Sequence, residues 1–333
     1  PNFRRRATLS AGFYVALASA ATLASGWVTS AHAAWPERNI RVVVGFPPGG
    51  GADYAARQVA QALGSALSAT VVVDNKPGAN GVIAAAEVAR APADGYTLLL
   101  GVTASQSISP AVSAKLPYDA LRDFTAITNV GYTPLVLVVN PKMSVKTVGE
   151  FIQFVKASKE PVPYGSAGNG NITHMTAELF LQSTGITNMR HIPYKGSSQV
   201  ITDLIGGHVA AYFDTLPSSL PFIQSGQLRA LGVTSKDRAG AAPQIPSMQE
   251  AGVAGYVATT WFGVLAPPKL PPELAERIAD ALRKTMGTPE ARQGLASRGL
   301  EAVLNTPAQF QAELEADLAR WRDVTRKAKI TLD

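Results

Sequence analysis

Apolar runs alternate with amphipathic segments along almost the whole chain, the pattern of an α/β protein. Ile40 to Phe46 reads as a buried strand, Ala52 to Leu67 as a helix, Thr70 to Val73 as a strand, Gly81 to Arg90 as a helix and Tyr96 to Leu100 as a strand. Continuous runs such as Val71-Val72-Val73 and Leu98-Leu99-Leu100 suit a parallel sheet covered on both faces. Pro134 to Val139 is a further strand, closed by Asn140-Pro141. A second series then begins: helix Thr147 to Ala157, strand Val162 to Gly165, helix Thr173 to Ser183, strand Met189 to Ile192, helix Ser198 to Ile205, and strands Val209 to Phe213 and Leu228 to Thr234. An extended segment from Tyr256 to Leu265 leads to a helical tail at Pro272 to Met286, Pro289 to Ser297 and Pro307 to Lys329, each opening on a proline whose missing N–H costs nothing there. No repeat and no flexible linker separates the two series, so two α/β domains sharing a cleft is the architecture the pattern implies.

The first residues break this pattern. Arg4, Arg5 and Arg6 precede an apolar, small-residue run from Ala7 to about Val28, and Ala31-His32-Ala33 supplies small residues for a signal-peptidase site. This reads as a secretory signal peptide over residues 1–33, cut near Ala33, which places the mature chain in the periplasm. The competing reading is a permanent anchor, but Gly, Ser and Thr dilute the run and the Ala-x-Ala end is what cleavage needs. Arg5-Arg6 ahead of Leu9 also resembles a twin-arginine signal, so the export route stays open. With the three arginines gone the net charge falls from +6 to +3, too mild to imply nucleic acid or an anionic membrane as partner. The 333 residues contain no cysteine, which removes disulfides, thiolate nucleophiles and cysteine metal sites. A chain of this length is stable without such staples, and a monomer is expected.

The local feature that says most is a strand, then Gly45-Phe46-Pro47-Pro48-Gly49-Gly50-Gly51, then a helix. Glycines allow close backbone approach, and the free N–H groups of a helix start bind anions. Asp53 falls in the first turn, where it favours the helix dipole but locally opposes an anion. A tight turn with no ligand is the plainer alternative. A dinucleotide site, suggested by Asp74 at the end of the second strand, is opposed by Tyr54 at the third-glycine position and by Pro47-Pro48. A second Gly-rich loop, Tyr164-Gly165-Ser166-Ala167-Gly168-Asn169-Gly170-Asn171, again joins strand to helix, and Gly101-Val102-Thr103-Ala104-Ser105 adds hydroxyls at a third strand end. Loops of this kind, one in each domain, are able to aim helix N-termini at one small anion. Catalytic motifs are missing: there is no Gly-x-Ser-x-Gly and no His-Glu-x-x-His. His174 and Glu178 share one helix face at i, i+4, a spacing that suits a metal but far more often a surface pair. Asp214, at a strand end, holds an ammonium or hydroxyl group or serves as a cap. Lys195 reads equally as an anion attractor or a solvated turn residue, and Trp261-Phe262 as core or hinge packing. No enzyme, cofactor or metal is expected.

Taken together, Trp35-Pro36, Phe46-Pro47-Pro48-Gly49-Gly50, Val73-Asp74-Asn75-Lys76-Pro77-Gly78-Ala79, Asp94-Gly95-Tyr96-Thr97-Leu98-Leu99, Leu116-Pro117-Tyr118-Asp119, Ser166-Ala167-Gly168-Asn169-Gly170 with His174, His191-Ile192-Pro193-Tyr194-Lys195-Gly196, Phe213-Asp214 and Trp261-Phe262-Gly263 form an ordered set. With that set the chain resembles, over residues 35–333, the Bug-type or Tct-type extracytoplasmic solute receptors of tripartite tricarboxylate transporters. The resemblance implies a type II periplasmic-binding-protein fold, with one domain at 35–136 plus 256–333 and the other at 137–255. It implies a small carboxylate ligand (a di- or tricarboxylate, an amino acid or an aromatic acid) held by backbone amides, hydroxyls and water, and delivery to integral-membrane transporter subunits that bind transiently. A receptor feeding a membrane signalling partner, or an exported hydrolase using His174 or Asp214, are the alternatives. Carried onto this chain, the binding set is Pro48, Gly49, Gly50, Gly51, Ala52, Asp53, Tyr54, Thr103, Ala104, Ser105, Ser166, Ala167, Gly168, Asn169, Gly170, Asn171 and Asp214. Gly51 departs from the Ser or Thr often found after Gly50 in the family, and Tyr54 is expected either to narrow the pocket or to stack on the ligand.

Overall fold

The strands lie where the apolar runs fall, and their alternation between parallel and antiparallel neighbours sets the architecture of the computed structural model, which describes residues 35–113 and 115–328. The signal peptide expected at residues 1–33 lies outside the described residues. β1 (Ile40–Val44) pairs in parallel with β2 (Val71–Asn75) on one side and β3 (Thr97–Val102) on the other. β9 (Thr259–Ala266) runs antiparallel to β3 and to the fifteen-residue β4 (Thr125–Val139). The order is therefore β2-β1-β3-β9-β4, with a short β10 (Glu301–Ala302) on the outside of β4.

A second sheet repeats the plan. β5 (Val162–Ser166) pairs in parallel with β6 (Met189–Pro193) and β7 (Ala211–Thr215), and β4 pairs antiparallel with both β7 and β8 (Arg229–Val233). Its order, β6-β5-β7-β4-β8, copies the first sheet, with β4 now in the central antiparallel position. One strand thus belongs to both sheets: residues 125–134 pair with β9, and residues 135–139 pair with β7. Register shifts at Ala126/Thr128, Asn129/Gly131 and Leu137/Val138 mark bulges, which bend a strand and raise its twist.

Parallel strands need crossover connections, and the helices supply them. Gly51–Leu67 and Val82–Ala89 follow β1 and β2; Val148–Ala157, Ile172–Thr184 and Ser197–Gly206 follow β4, β5 and β6. Core clusters lie against the sheets: Val43, Leu99, Phe124, Leu265 and Phe310 against the first, and Leu137, Phe151, Phe180, Phe213 and Tyr256 against the second. Each such fully buried side chain contributes about 1.5–3 kcal/mol relative to exposure. From Arg38 onward the chain packs as one compact unit. Among the described residues no helix is long and apolar enough to cross a membrane.

Two stretches differ from the sequence pattern. The first ten residues of β4, Thr125 to Pro134, carry Thr, Asn, Gly and Pro in place of an apolar run, yet form strand because β9 pairs along the stretch, skipping only Ile127 and Val130 at its bulges. Leu216–Gln224 is a helix although Pro221 sits inside it and its serines hide the helical period.

Candidate functional site

Four helices begin in the wall of one cavity between the two sheets. Its lining includes Gly50, Gly51 and Ala52 at the start of Gly51–Leu67, and Asn171, Ile172 and Thr173 at the start of Ile172–Thr184. It also includes Ser197 at the start of Ser197–Gly206 and Thr215, the residue preceding helix Leu216–Gln224. Phe46, Pro47, Val102, Ala104, Ala167, Thr260 and Phe262 complete the wall, and the cavity together with its opening to solvent takes up about 450 Å3. Three of the four helices lack a side-chain cap at their first residue: Gly50, Gly196 and Thr215 leave their N–H groups uncovered. Asn171 differs, its Oδ1 accepting the Thr173 N–H at 3.0 Å. Uncapped N-termini carry partial positive charge and unpaired donors, which together favour an anion. Among the described residues no lysine, arginine or histidine lines the cavity.

The glycines are there because backbones from distant parts of the chain touch. A Cβ on Gly51 would lie 2.4 Å from Thr215 Oγ1 and 3.3 Å from the Phe262 ring. A Cβ on Gly196 would lie 2.5 Å from Pro47 Cδ, so the loop after β1 sits directly against the loop before Ser197. The side-chain amide of Asn80 donates to the Asn169 carbonyl, joining the first sheet's connections to the second Gly-rich loop. These contacts draw the two sheets together over the cavity.

Of the residues singled out in the sequence, Gly50, Gly51, Ala52, Ala104, Ala167 and Asn171 line the cavity. The remainder are not among its lining residues. Asp53 is 4% exposed and accepts hydrogen bonds from the Gly49 N–H at 3.0 Å, Arg57 Nε at 2.9 Å and Asn75 Nδ2 at 3.0 Å. Burial alone pushes its carboxyl up, but the bonds from Arg57, Gly49 and Asn75 outweigh it and hold the group below the ordinary carboxylate value. The ring of Tyr54 lies 5.5 Å from the Arg298 guanidinium. Thr103 Oγ1 accepts from the Trp261 N–H at 3.1 Å and from Thr260 Oγ1 at 3.0 Å. The Ser105 carbonyl accepts from Tyr118 OH at 2.6 Å. Pro48 and Gly49 turn the first loop, and Gly168, Asn169 and Gly170 turn the second.

Asp214 is wholly buried beneath Ser197 and Thr215. Ser219 Oγ donates to its Oδ2 at 2.7 Å, and Oδ1 has no partner at hydrogen-bond distance. Burial raises its carboxyl above the ordinary value, more than the surrounding hydroxyls of Ser219, Ser218, Ser197 and Tyr212 lower it. Ser197 Oγ and Tyr212 OH lie 2.8 Å apart, which links this buried group to the cavity wall.

Behind the second loop three rings stack. Tyr164 and His191 have centroids 5.1 Å apart, and His191 and His174 lie 3.8 Å apart at 6°. Both imidazoles reach the loop: His191 Nε2 is 2.6 Å from Ser166 Oγ, and His174 Nδ1 accepts the Gly170 N–H at 3.0 Å. Burial, and then the neighbouring His174, push His191 down to about 4. His174 Nε2 lies 3.5 Å from Glu178 Oε1. Among the described residues no group of three His, Cys, Asp or Glu is placed to hold a metal.

Sequence reasoning missed Phe46, Pro47, Val102, Ile172, Thr173, Ser197, Thr215, Thr260 and Phe262 as cavity residues. Two had a signal: Ser197 follows Gly196 at a helix start, and Thr215 precedes Leu216-Pro217, a proline placed for the first turn.

The sequence model of the tripartite tricarboxylate transporter family receptor matches residues 55–330. The chain belongs to that family. The receptor is similar to BugT of Bordetella pertussis, with 36% identity over 294 residues, 88% of this chain and 90% of BugT. Among solved structures it resembles an R. palustris protein determined with adipate, at 33% identity and a TM-score of 0.86, over 89% of this chain and 99% of that one. It also resembles MatC from Rhodopseudomonas palustris with bound malate, at 25% identity and a TM-score of 0.81, over 87% of this chain and 99% of MatC. The receptor has the periplasmic-binding-protein fold of these neighbours, of type II, two α/β sheets about a cleft.

Proposed function

We propose that this receptor works outside the cytoplasm, binding a small carboxylate without transforming it and presenting it to the membrane subunits of a tripartite transporter. The observation that carries the reading is the meeting of four helix starts at one cavity that no cationic side chain lines. Taking a carboxylate out of water costs several kcal/mol, whereas one helix terminus returns about 0.3–1 kcal/mol and up to ~2 when partly buried. A single terminus is therefore too weak, and several converging on one anion are the arrangement that suffices. The solved relatives with adipate and malate support the carboxylate as the ligand class.

In this reading the lobes are residues 35–136 with 256–333, and 137–255, and the leader is removed near Ala33. The lobes separate to admit the ligand and close by seating Pro47 on Gly196 and Gly51 on Thr215. The contact residues are Gly50, Gly51, Ala52, Asn171, Ser197 and Thr215, with Phe46 and Phe262 against the ligand's carbon skeleton. Asp53, Ser166, Gly168 and Asp214 hold those groups in place from behind.

Titration calorimetry against carboxylates and their primary amides tests this. Heat is expected for at least one acid and for none of the amides, because the amide has the shape without the charge. An absence of heat for every acid, or equal affinity for acid and amide, would overturn the reading.

A further inference from the structure

The binding cavity has a neighbour. A second pocket, about 1050 Å3 with its opening to solvent included, shares Ile172 with it and is walled also by Thr176, Leu179, Val257, Thr259 and Trp321 among others. Ile172 lines both spaces, and the adjacent Thr259 and Thr260 of β9 line one each. Ile172 is 6% exposed and opens the helix Ile172–Thr184, whose start is fixed by the Asn171 cap. The partition is thus held by the one helix start of the four that a side chain caps.

The chamber is equipped to receive the far end of a ligand. Its wall is largely apolar, yet Thr176 Oγ1 and Trp321 Nε1 are both buried without a hydrogen-bond partner. An unpaired buried donor or acceptor costs about 1–3 kcal/mol, so each has something to gain from a polar group arriving there. Ile172, which lines both spaces, stands between these groups and the space where the skeleton of a carboxylate would lie.

We propose that Ile172 determines ligand length: it confines the receptor to short carboxylates by closing the binding cavity off from the Thr176–Trp321 chamber. The inference rests on the carboxylate reading of the first cavity. Length is measured from the three uncapped helix starts at Gly50, Gly196 and Thr215, because the carboxylate is anchored there and the chain of the ligand runs toward Ile172. Shortening this side chain to Ala removes everything beyond its Cβ and joins the two spaces.

The test is calorimetry of the full mature protein with two straight-chain series, butyrate upward to decanoate and succinate upward to sebacate. For the wild type, affinity is expected to fall about tenfold or more over the first methylenes added beyond the best-fitting acid, the scale at which a closed wall discriminates. Ile172→Ala shifts the cut-off to longer acids, with a gain of about tenfold for those the wild type rejects and little change for the shortest. Ile172→Val shifts it the same way by less, and gives the result if the Ala variant does not fold. Adding Leu179→Trp to Ile172→Ala refills the chamber from a residue 38% exposed and restores the short cut-off. An unchanged length profile in both Ile172 variants, or a wild type with no cut-off, would overturn the inference while leaving the carboxylate reading intact. A wild type that binds no acid at all removes that reading and this inference with it.

Discussion

Asp53 looks from its position like an obstacle to anion binding, a negative charge in the first turn of the helix that follows Gly51. Its oxygens are instead turned back onto Gly49, Arg57 and Asn75, so its charge is spent on shaping the loop. The Asn75 partner lies at the end of the next strand, and no local pattern connects the two. Gly51 was legible as a position that departs from the family's Ser or Thr, but the reason for a glycine comes from Thr215 and Phe262, far along the chain. Gly51→Ala places a methyl 2.4 Å from Thr215 Oγ1 in the structure described. Overpacking of this kind costs about 1–3 kcal/mol, and here it falls on the closed form. The expected outcome is a loss of about tenfold or more in ligand affinity by calorimetry, with a thermal midpoint close to that of the wild type. Unchanged affinity would show that closure does not bring Gly51 against Thr215.

At the scale of elements, the helices and strands with strong apolar periodicity lie within a few residues of where the sequence put them. The Pro272–Met286 helix matches residue for residue. What escaped notice were elements whose residues are chosen by a partner. Pro134 reads as the first residue of a strand, but β4 begins nine residues earlier at Thr125, and Pro134 sits opposite Thr259 where the strand passes from one sheet to the other. The ring stack of Tyr164, His191 and His174 likewise joins β5, β6 and the helix Ile172–Thr184, which the chain alone does not bring together. It has a measurable consequence. His191 faces Ser166 Oγ, the Tyr164 ring, His174 and, beyond it, Glu178, and its folded value is depressed to about 4 from 6.5. A depressed histidine binds fewer protons folded than unfolded. Its contribution to stability is therefore complete above pH 6.5 and is lost as the pH falls from there towards 4. Denaturant melts across that window should show the wild type losing stability on acidification and His191→Gln losing less. Equal slopes for the two proteins would assign the acid response elsewhere.

For the molecule as a whole, the sequence carried the fold class, the pair of Gly-rich loops and the shortage of catalytic groups. It did not carry the meeting of four helix starts, because that depends on how the two sheets face each other. The absence of cationic side chains from the wall has a consequence for affinity. Ion pairs near a surface weaken with salt, whereas enclosed backbone donors are screened little. Ligand affinity measured from low salt to 0.5 M sodium chloride should change by less than about threefold, against the steeper fall of a site built on exposed charges. A steep loss would point to lysine or arginine joining the ligand in solution.

The shared strand β4 carries a consequence of its own. Residues 125–134 hydrogen-bond within one sheet and residues 135–139 within the other, in both cases beside the sheet's parallel strands or the β9 that joins them. Melting either sheet strips the other of an inner strand and exposes its unpaired backbone groups. The two sheets are for that reason expected to unfold together: the strand that passes between them is the seam that makes the receptor one cooperative body.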